Sequence, residues 1–360
     1  MQEAKPKVYF TDGEGPVVFK DLARDIAQKR LPKHLFDVIS MWVAFESEKP
    51  NSPLEAGDTL SLLVPHLLLH KITDEDLVAE ARNTPIANGA KRHFANHKRD
   101  GWQIYIISTA YSHLWSTLET EIGVAHTNVT STHLDLGYLE KHFFDSGITS
   151  LVEKAEEIII ENAPDVRNSI ESFKADQTLK DVFDKPIMRK ISESLEELYF
   201  SGLPNLDFPP LDITKAVGGR RKIEAILAQT ERIGIKEEDI IFVGDSITDS
   251  QAQKHIRENG GLSIALNADK YGMRNAQVAV ATEDVSLVKP LLDVWVNAGL
   301  DGIRRFVAEG QFITTGTERK TVIGERLARY ILITPECMET TLAIHHDTRM
   351  RIREASLPII

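Results

Sequence analysis

Six side chains of this chain stand where buried strands or helices stop or start, and their types could do chemistry together. Asp12 and Glu14 follow the apolar run Val8-Tyr9-Phe10, with Gly13 and Gly15 to let the backbone turn sharply. Ser108 follows Ile104-Tyr105-Ile106-Ile107, while Asp245 and Asp249 follow Ile240-Ile241-Phe242-Val243 and Gly244. Lys222 opens an amphipathic segment just after Gly218-Gly219. Carboxylates suit a hard divalent cation, whereas a hydroxyl and an ammonium bind anionic oxygens. Each has a plainer reading alone. An acid after a strand is ordinary turn chemistry, Ser108 and Asp249 read as helix caps, and a lysine at a helix start is usually solvated, although the helix dipole disfavours it there.

The elements decide between these readings. The strands Val8–Phe10, Trp102–Ile107 and Ile240–Val243 are separated by helical stretches, so they belong in one parallel sheet with right-handed crossovers. Ligands of such sheets bind beyond the carboxyl ends of the strands. That edge would gather Asp12, Glu14, Ser108, Asp245 and Asp249, with Lys222 nearby. Further strands are expected over Asn128 to Leu134, Leu262 to Leu266 and Val278 to Ala281. Two helical blocks interrupt the α/β rhythm. The first holds Val17 to Gln28, Leu35 to Phe45, Leu60 to His70 with Pro65 inside it, and a segment capped by Thr73. The second covers residues 149 to 200 and ends in a proline-rich connector, Gly202 to Pro210. The tail reads as further helices, including Thr321 to Ile333 and Met338 to Ile344. The expected division is an α/β core of residues 1–15, 85–145 and 212–290, helical insertions at 16–84 and 146–211, and a helical C-terminal extension at 291–360.

In order along the chain, these residues resemble the motifs of the haloacid dehalogenase-like superfamily of phosphatases and phosphotransferases. The first motif stands here as Asp12-Gly13-Glu14, the second as Ile106-Ile107-Ser108-Thr109, the third as Lys222, and the fourth as Gly244-Asp245-Ser246-Ile247-Thr248-Asp249. Lys222 precedes Asp245 by 245 − 222 = 23 positions, a spacing typical of the family. The likeness covers about 1–15, 86–140 and 215–290. More loosely, Asp12-Gly13-Glu14-Gly15-Pro16 resembles an archaeal branch of the superfamily labelled an energy-converting hydrogenase accessory subunit.

The resemblance implies a Rossmann-like three-layer α/β/α core with cap insertions, and Mg²⁺ as cofactor. Asp12, Asp245 and the main-chain carbonyl of Glu14 would hold the ion, with Asp249 ligating directly or through water. Asp12 would attack phosphorus, and Glu14 would protonate the leaving oxygen and later activate water. Lys222 and Ser108 would bind the phosphoryl oxygens, with Thr109 and Lys215 as rivals for those two roles. The family's phosphatases usually have Asp where Glu14 stands, so an accessory protein that binds phosphate or Mg²⁺ without turnover is the alternative to a phosphatase of small metabolites.

Composition narrows the classes. With 42 basic and 54 acidic side chains the net charge is −12, which disfavours nucleic-acid and anionic-membrane partners. The single cysteine, Cys337, excludes an internal disulfide and a Cys-based zinc site. Met1 to Lys7 is polar, no apolar run is long enough to span a bilayer, and a cytoplasmic protein is expected. A homo-oligomer or a protein partner could use the C-terminal helices. His66 and His70 lack the adjacent glutamate of a zinc peptidase motif, and His345-His346-Asp347 reads as a surface cluster. Trp42, Phe45, Tyr111 and Trp115 read as core, and Arg220 and Arg221 as solvated.

Overall fold

The computed structural model describes residues 5–309, apart from 146 and 175–177, together with 318–323 and 326–355. The remaining parts of the tail expected at 291–360, and of the polar segment Met1 to Lys7, lie outside the described residues. Eight strands form one sheet: β1 (Val8–Thr11), β2 (Gln103–Tyr111), β3 (Val129–Thr132), β4 (Ile241–Gly244), β5 (Leu262–Leu266), β6 (Val278–Thr282), β7 (Glu318–Ile323) and β8 (Arg326–Leu332). Their order is β3-β2-β1-β4-β5-β6-β8-β7. β1 to β6 pair in parallel, and β8 joins β6 and β7 antiparallel. The sheet has helices on both faces, as the resemblance implied.

Strand alternation makes the two cores. Val8 and Phe10 point to one face with Tyr105, Ile107 and Phe242, against the helices Arg220–Ile233 and Ser250–Glu258. Tyr9 points to the other with Ile104, Ile106, Ile241 and Val243, where the larger core continues into the helical blocks. Phe10 lies level with Phe242, and Thr11 with Val243, so β1 and β4 end side by side at the centre of the sheet.

Two elements differ from expectation. The segment read as a helix from Thr321 to Ile333 is the hairpin β7–β8, which extends the sheet beyond β6. Its β-branched and aromatic content, Thr321-Val322-Ile323 and Tyr330-Ile331-Leu332, fits a pleated surface better than a helix. Strand β2 also runs past Ile107 to Tyr111, and its pairing with β3 shifts register between Ser108 and Tyr111.

The helices between β1 and β2 (Leu22–Arg30, Leu35–Ser47, Thr59–Leu69, Asp74–Arg82) pack on those between β3 and β4 (Thr149–Glu161, Ala163–Lys174, Pro186–Glu197). Trp42 Nε1 donates to Ser192 Oγ at 2.9 Å, and Phe45 stacks on Phe183 with ring centroids 4.8 Å apart. His66 is fully buried between Glu156 (2.7 Å) and the Tyr199 hydroxyl (2.7 Å), while His70 meets the other Glu156 oxygen at 2.8 Å. Both histidines are thereby committed to structure. The core readings of Trp42, Phe45, Tyr111 and Trp115 agree with their placement.

Candidate active site

The C-terminal ends of β1 and β4 carry the first acids to one place. Asp12 N donates to Val243 O at 2.8 Å, which extends the β1–β4 ladder by one residue and fixes the Asp12 backbone. Its carboxylate Oδ1 accepts from Gly13 N at 2.7 Å and lies 3.0 Å from Lys222 Nζ. Asp12 Oδ2 accepts no hydrogen bond among the described residues. Lys222 reaches Asp249 Oδ1 at 2.6 Å and Thr248 Oγ1 at 3.4 Å, with its side chain wholly buried. Asp249 Oδ2 in turn accepts from Asp245 N (2.9 Å) and Ser246 N (3.0 Å). It therefore both caps the Gly244–Asp249 turn and holds Lys222, so cap and site residue are one role.

Asp12, Asp245 and Asp249 each offer a carboxylate oxygen, and the three oxygens lie within 4.8 Å of one another. The charge balance leaves room for a cation. Lys222 is one ammonium shared between two carboxylates, and the Asp245 carboxylate accepts no hydrogen bond among the described residues. Burial, reinforced by Asp249 and only partly offset by Lys222, raises the Asp12 pKa to about 7. Burial also raises Asp245 well above the carboxylate range, against the pull of Arg349. Burial opposes the charge on Lys222, yet Asp12 and Asp249 together keep its pKa above the usual lysine value. Three oxygen donors on buried, under-compensated acids fit a hard divalent cation such as Mg²⁺.

Glycines keep the cluster tight. A Cβ on Gly15, whose φ is +92°, would sit 2.5 Å from the Asp245 carboxylate. A Cβ on Gly13 would meet the Trp115 ring at 2.0 Å and Ser108 Oγ at 2.8 Å. The β2 register shift falls at this point, and Ser108 Oγ accepts from Ala110 N at 3.2 Å inside it. Ser108 is thus buried beside the Asp12 turn. Thr109, the rival, donates to Val217 O at 2.9 Å instead. Lys215, the other rival, is exposed.

Glu14 is placed differently from the other acids. Its carboxylate Oε1 accepts from Leu22 N at 3.0 Å, at the start of the first inserted helix. Burial and then Asp21 push its pKa well above the ordinary glutamate value. Arg220 and Arg221 are paired with the inserted loop that precedes helix Thr59–Leu69. Arg221 grips buried Asp58 with both guanidinium nitrogens, the Nη2–Oδ2 distance being 3.2 Å, and Arg220 N donates to Glu55 Oε2 at 3.2 Å. A Cβ on Gly218 would lie 2.0 Å from Ala56 O, so the loop rests directly on the glycine pair before Lys222. The same loop also reaches Thr109 and Thr248, whose Cγ2 atoms a Cβ on Gly57 would meet at 2.9 and 3.5 Å.

Sequence reasoning missed the contribution of the C-terminal helix Met338–Ala355. His345, expected at the surface, is fully buried, and its Nδ1 accepts from Ala268 N at 2.8 Å. Arg349, one turn later, stands 3.8 Å from Asp245 Oδ2. A helix far along the chain has no local signal that could point to a partner in the Gly244–Asp249 turn.

No family model and no curated protein matches the chain. Among solved structures, gene product AF1437 from Archaeoglobus fulgidus is similar over 98% of both chains, with 20% identity and a TM-score of 0.68. That likeness establishes a shared fold. A phospho-aspartyl intermediate analogue of phosphoserine phosphatase aligns with 80% of this chain and 99% of its own at 13% identity, with a TM-score of 0.49. A probable phosphoserine phosphatase from Vibrio cholerae aligns with 84% of this chain and 67% of its own at 12% identity and a TM-score of 0.46. No helix among the described residues is long and apolar enough to cross a membrane.

Proposed function

We propose that the chain is a Mg²⁺-dependent phosphomonoester hydrolase of the haloacid dehalogenase-like type, acting on a small phosphorylated metabolite. The observation that carries this is Asp12: one oxygen is fixed by Gly13 N and Lys222, and the other accepts no hydrogen bond beside two further carboxylates. Asp12, Asp245 and the Glu14 carbonyl would hold Mg²⁺, with Asp249 directly or through water. The ion supplies the positive charge that a phosphate dianion needs at an anionic nucleophile. Asp12 Oδ2 attacks phosphorus, the ester P–O bond breaks, and the leaving oxygen takes the proton of Glu14. Water then attacks the aspartyl-phosphate and gives its proton to Glu14. Orthophosphate leaves and Asp12 is restored. Lys222 and Ser108 stand at the phosphoryl oxygens. The burial of Asp12, Lys222, Asp245 and Asp249 favours small substrates.

A second reading rests on Glu14, whose carboxyl is engaged by Leu22 N. A chain that binds Mg²⁺ and phosphate without turnover, as an accessory protein, would have this arrangement permanently. Hydrolysis of p-nitrophenyl phosphate with Mg²⁺ separates the two. The enzyme is expected to turn over, and Asp12→Asn to lose at least about 10³-fold in kcat. Turnover that survives Asp12→Asn removes Asp12 as nucleophile. Metal binding with no hydrolysis of this ester or of a broad metabolite panel favours the accessory reading.

A further inference from the structure

The C-terminal helix has a defined seat on the core. Its residues Met338, Leu342 and Ile344 pack against Met273, Ala279 and Ile331, beside the outer strands of the sheet. His345 sets the register of the helix on the loop after β5, through Ala268 N. The next residue of that loop, Asp269, donates its N–H to Asp245 O at 2.9 Å. His345 and Arg349 are four residues apart, so they share a helix face. The helix that seats His345 on Ala268 therefore delivers Arg349 to Asp245, one residue further along the same contact.

Arg349 is only partly exposed, and its charge also acts on buried Asp269, the residue that bonds Asp245 O. Its Nη2 lies 3.8 Å from Asp245 Oδ2, while Nη1 is buried with no hydrogen-bond partner. Asp245 has no other ion pair among the described residues, since Lys222 serves Asp12 and Asp249. An ordinary surface ion pair has two solvated ends and contributes little. Here one end is a buried carboxylate in the acid cluster.

We propose that Arg349 is a positioning residue of the metal centre: it holds one oxygen of the Asp245 carboxylate from behind and leaves the other for the ion. The proposal rests on the metal site proposed above. Partners behind a ligand fix its rotamer, and their loss commonly weakens metal binding by about 10- to 100-fold. The opposite expectation is equally physical, because deleting a cation next to a metal ligand should tighten binding of a divalent ion. The sign of the effect therefore decides.

Mn²⁺ binding to the full chain, followed by electron paramagnetic resonance, measures it without reference to activity. Asp245→Asn in the parent protein first identifies the site. Arg349→Met is expected to bind Mn²⁺ about 10-fold more weakly at unchanged melting temperature, and Arg349→Lys to recover part of the loss. Arg349→Gln serves if the Met variant does not fold. His345→Leu is expected to weaken Mn²⁺ binding in the parent and to add nothing to Arg349→Met, because it acts only through the placement of Arg349. Equal or tighter binding in the Arg349 variants overturns the proposal, as does additivity of the two substitutions. A parent protein with no Mn²⁺ binding sensitive to Asp245→Asn overturns the metal centre itself, and with it this role for Arg349.

Discussion

At the scale of residues, the site stores a charge imbalance. Raising the Asp12 pKa from the ordinary 3.8 to about 7 means that the folded, metal-free protein holds this proton more tightly than the unfolded chain. The sign follows directly: a stabilising contribution is present below about pH 4 and is lost as pH rises to about 7. With EDTA present, the parent should therefore lose melting temperature relative to Asp12→Asn between pH 4.5 and pH 8. The effect should be about 3 kcal/mol. A difference between the two proteins that does not vary with pH would contradict the placement of the proton. That Asp12, Ser108, Lys222, Asp245 and Asp249 are neighbours was legible because spacing and strand ends located them. Glu14 was legible only as an acid. Where its carboxyl goes depends on Leu22 N, a backbone group of an inserted helix, and no local pattern encodes that. Arg349 and His345 were illegible for a related reason: on a surface-like helix, a polar side chain that meets a distant turn looks like one that meets water.

At the scale of elements, the glycine turn after β1 and the inserted loop at Glu55 to Asp58 do complementary work. The turn lets Asp12 and Asp245 approach, and the loop pins the helix start that carries Lys222 through Glu55 and the Asp58–Arg221 pair. Asp58 is fully buried, so Asp58→Ala should leave Arg221 partly buried without its counter-ion. A loss of about 3 kcal/mol is expected, read by urea unfolding. A loss under about 1 kcal/mol would mean that the loop is held by its backbone packing on Gly218 instead. Most elements were readable from periodicity and caps. Thr73, for example, closes a capping box with Asp76, in keeping with the helix start read there. The β7–β8 hairpin was not, because short apolar runs fit both periods and only pairing with β6 settles the matter. Strand β2 was read too short for a similar reason. Ser108 and Thr109 are polar enough to look like a strand end, yet β3 keeps pairing with β2 beyond them.

At the scale of the whole molecule, the two helical insertions are far apart in the chain but form one packed body above the sheet edge. Glu156 is the polar centre of that contact, bonded to His66 and His70 at once. Glu156→Gln keeps the shape but removes the charge, and should destabilise the protein by about 1–3 kcal/mol in thermal unfolding. A neutral effect would show that the aromatic contacts of Trp42, Phe45, Phe183 and Tyr199 suffice. The shared seam has a kinetic consequence. Neither insertion can swing aside alone without parting Trp42 from Ser192 and His66 from Glu156. In the proposed reaction the leaving alcohol must depart and water must enter before the second half, and orthophosphate must then escape. Any opening of the insertions for this traffic must move both together, so turnover should slow with solvent viscosity even when the chemistry is fast.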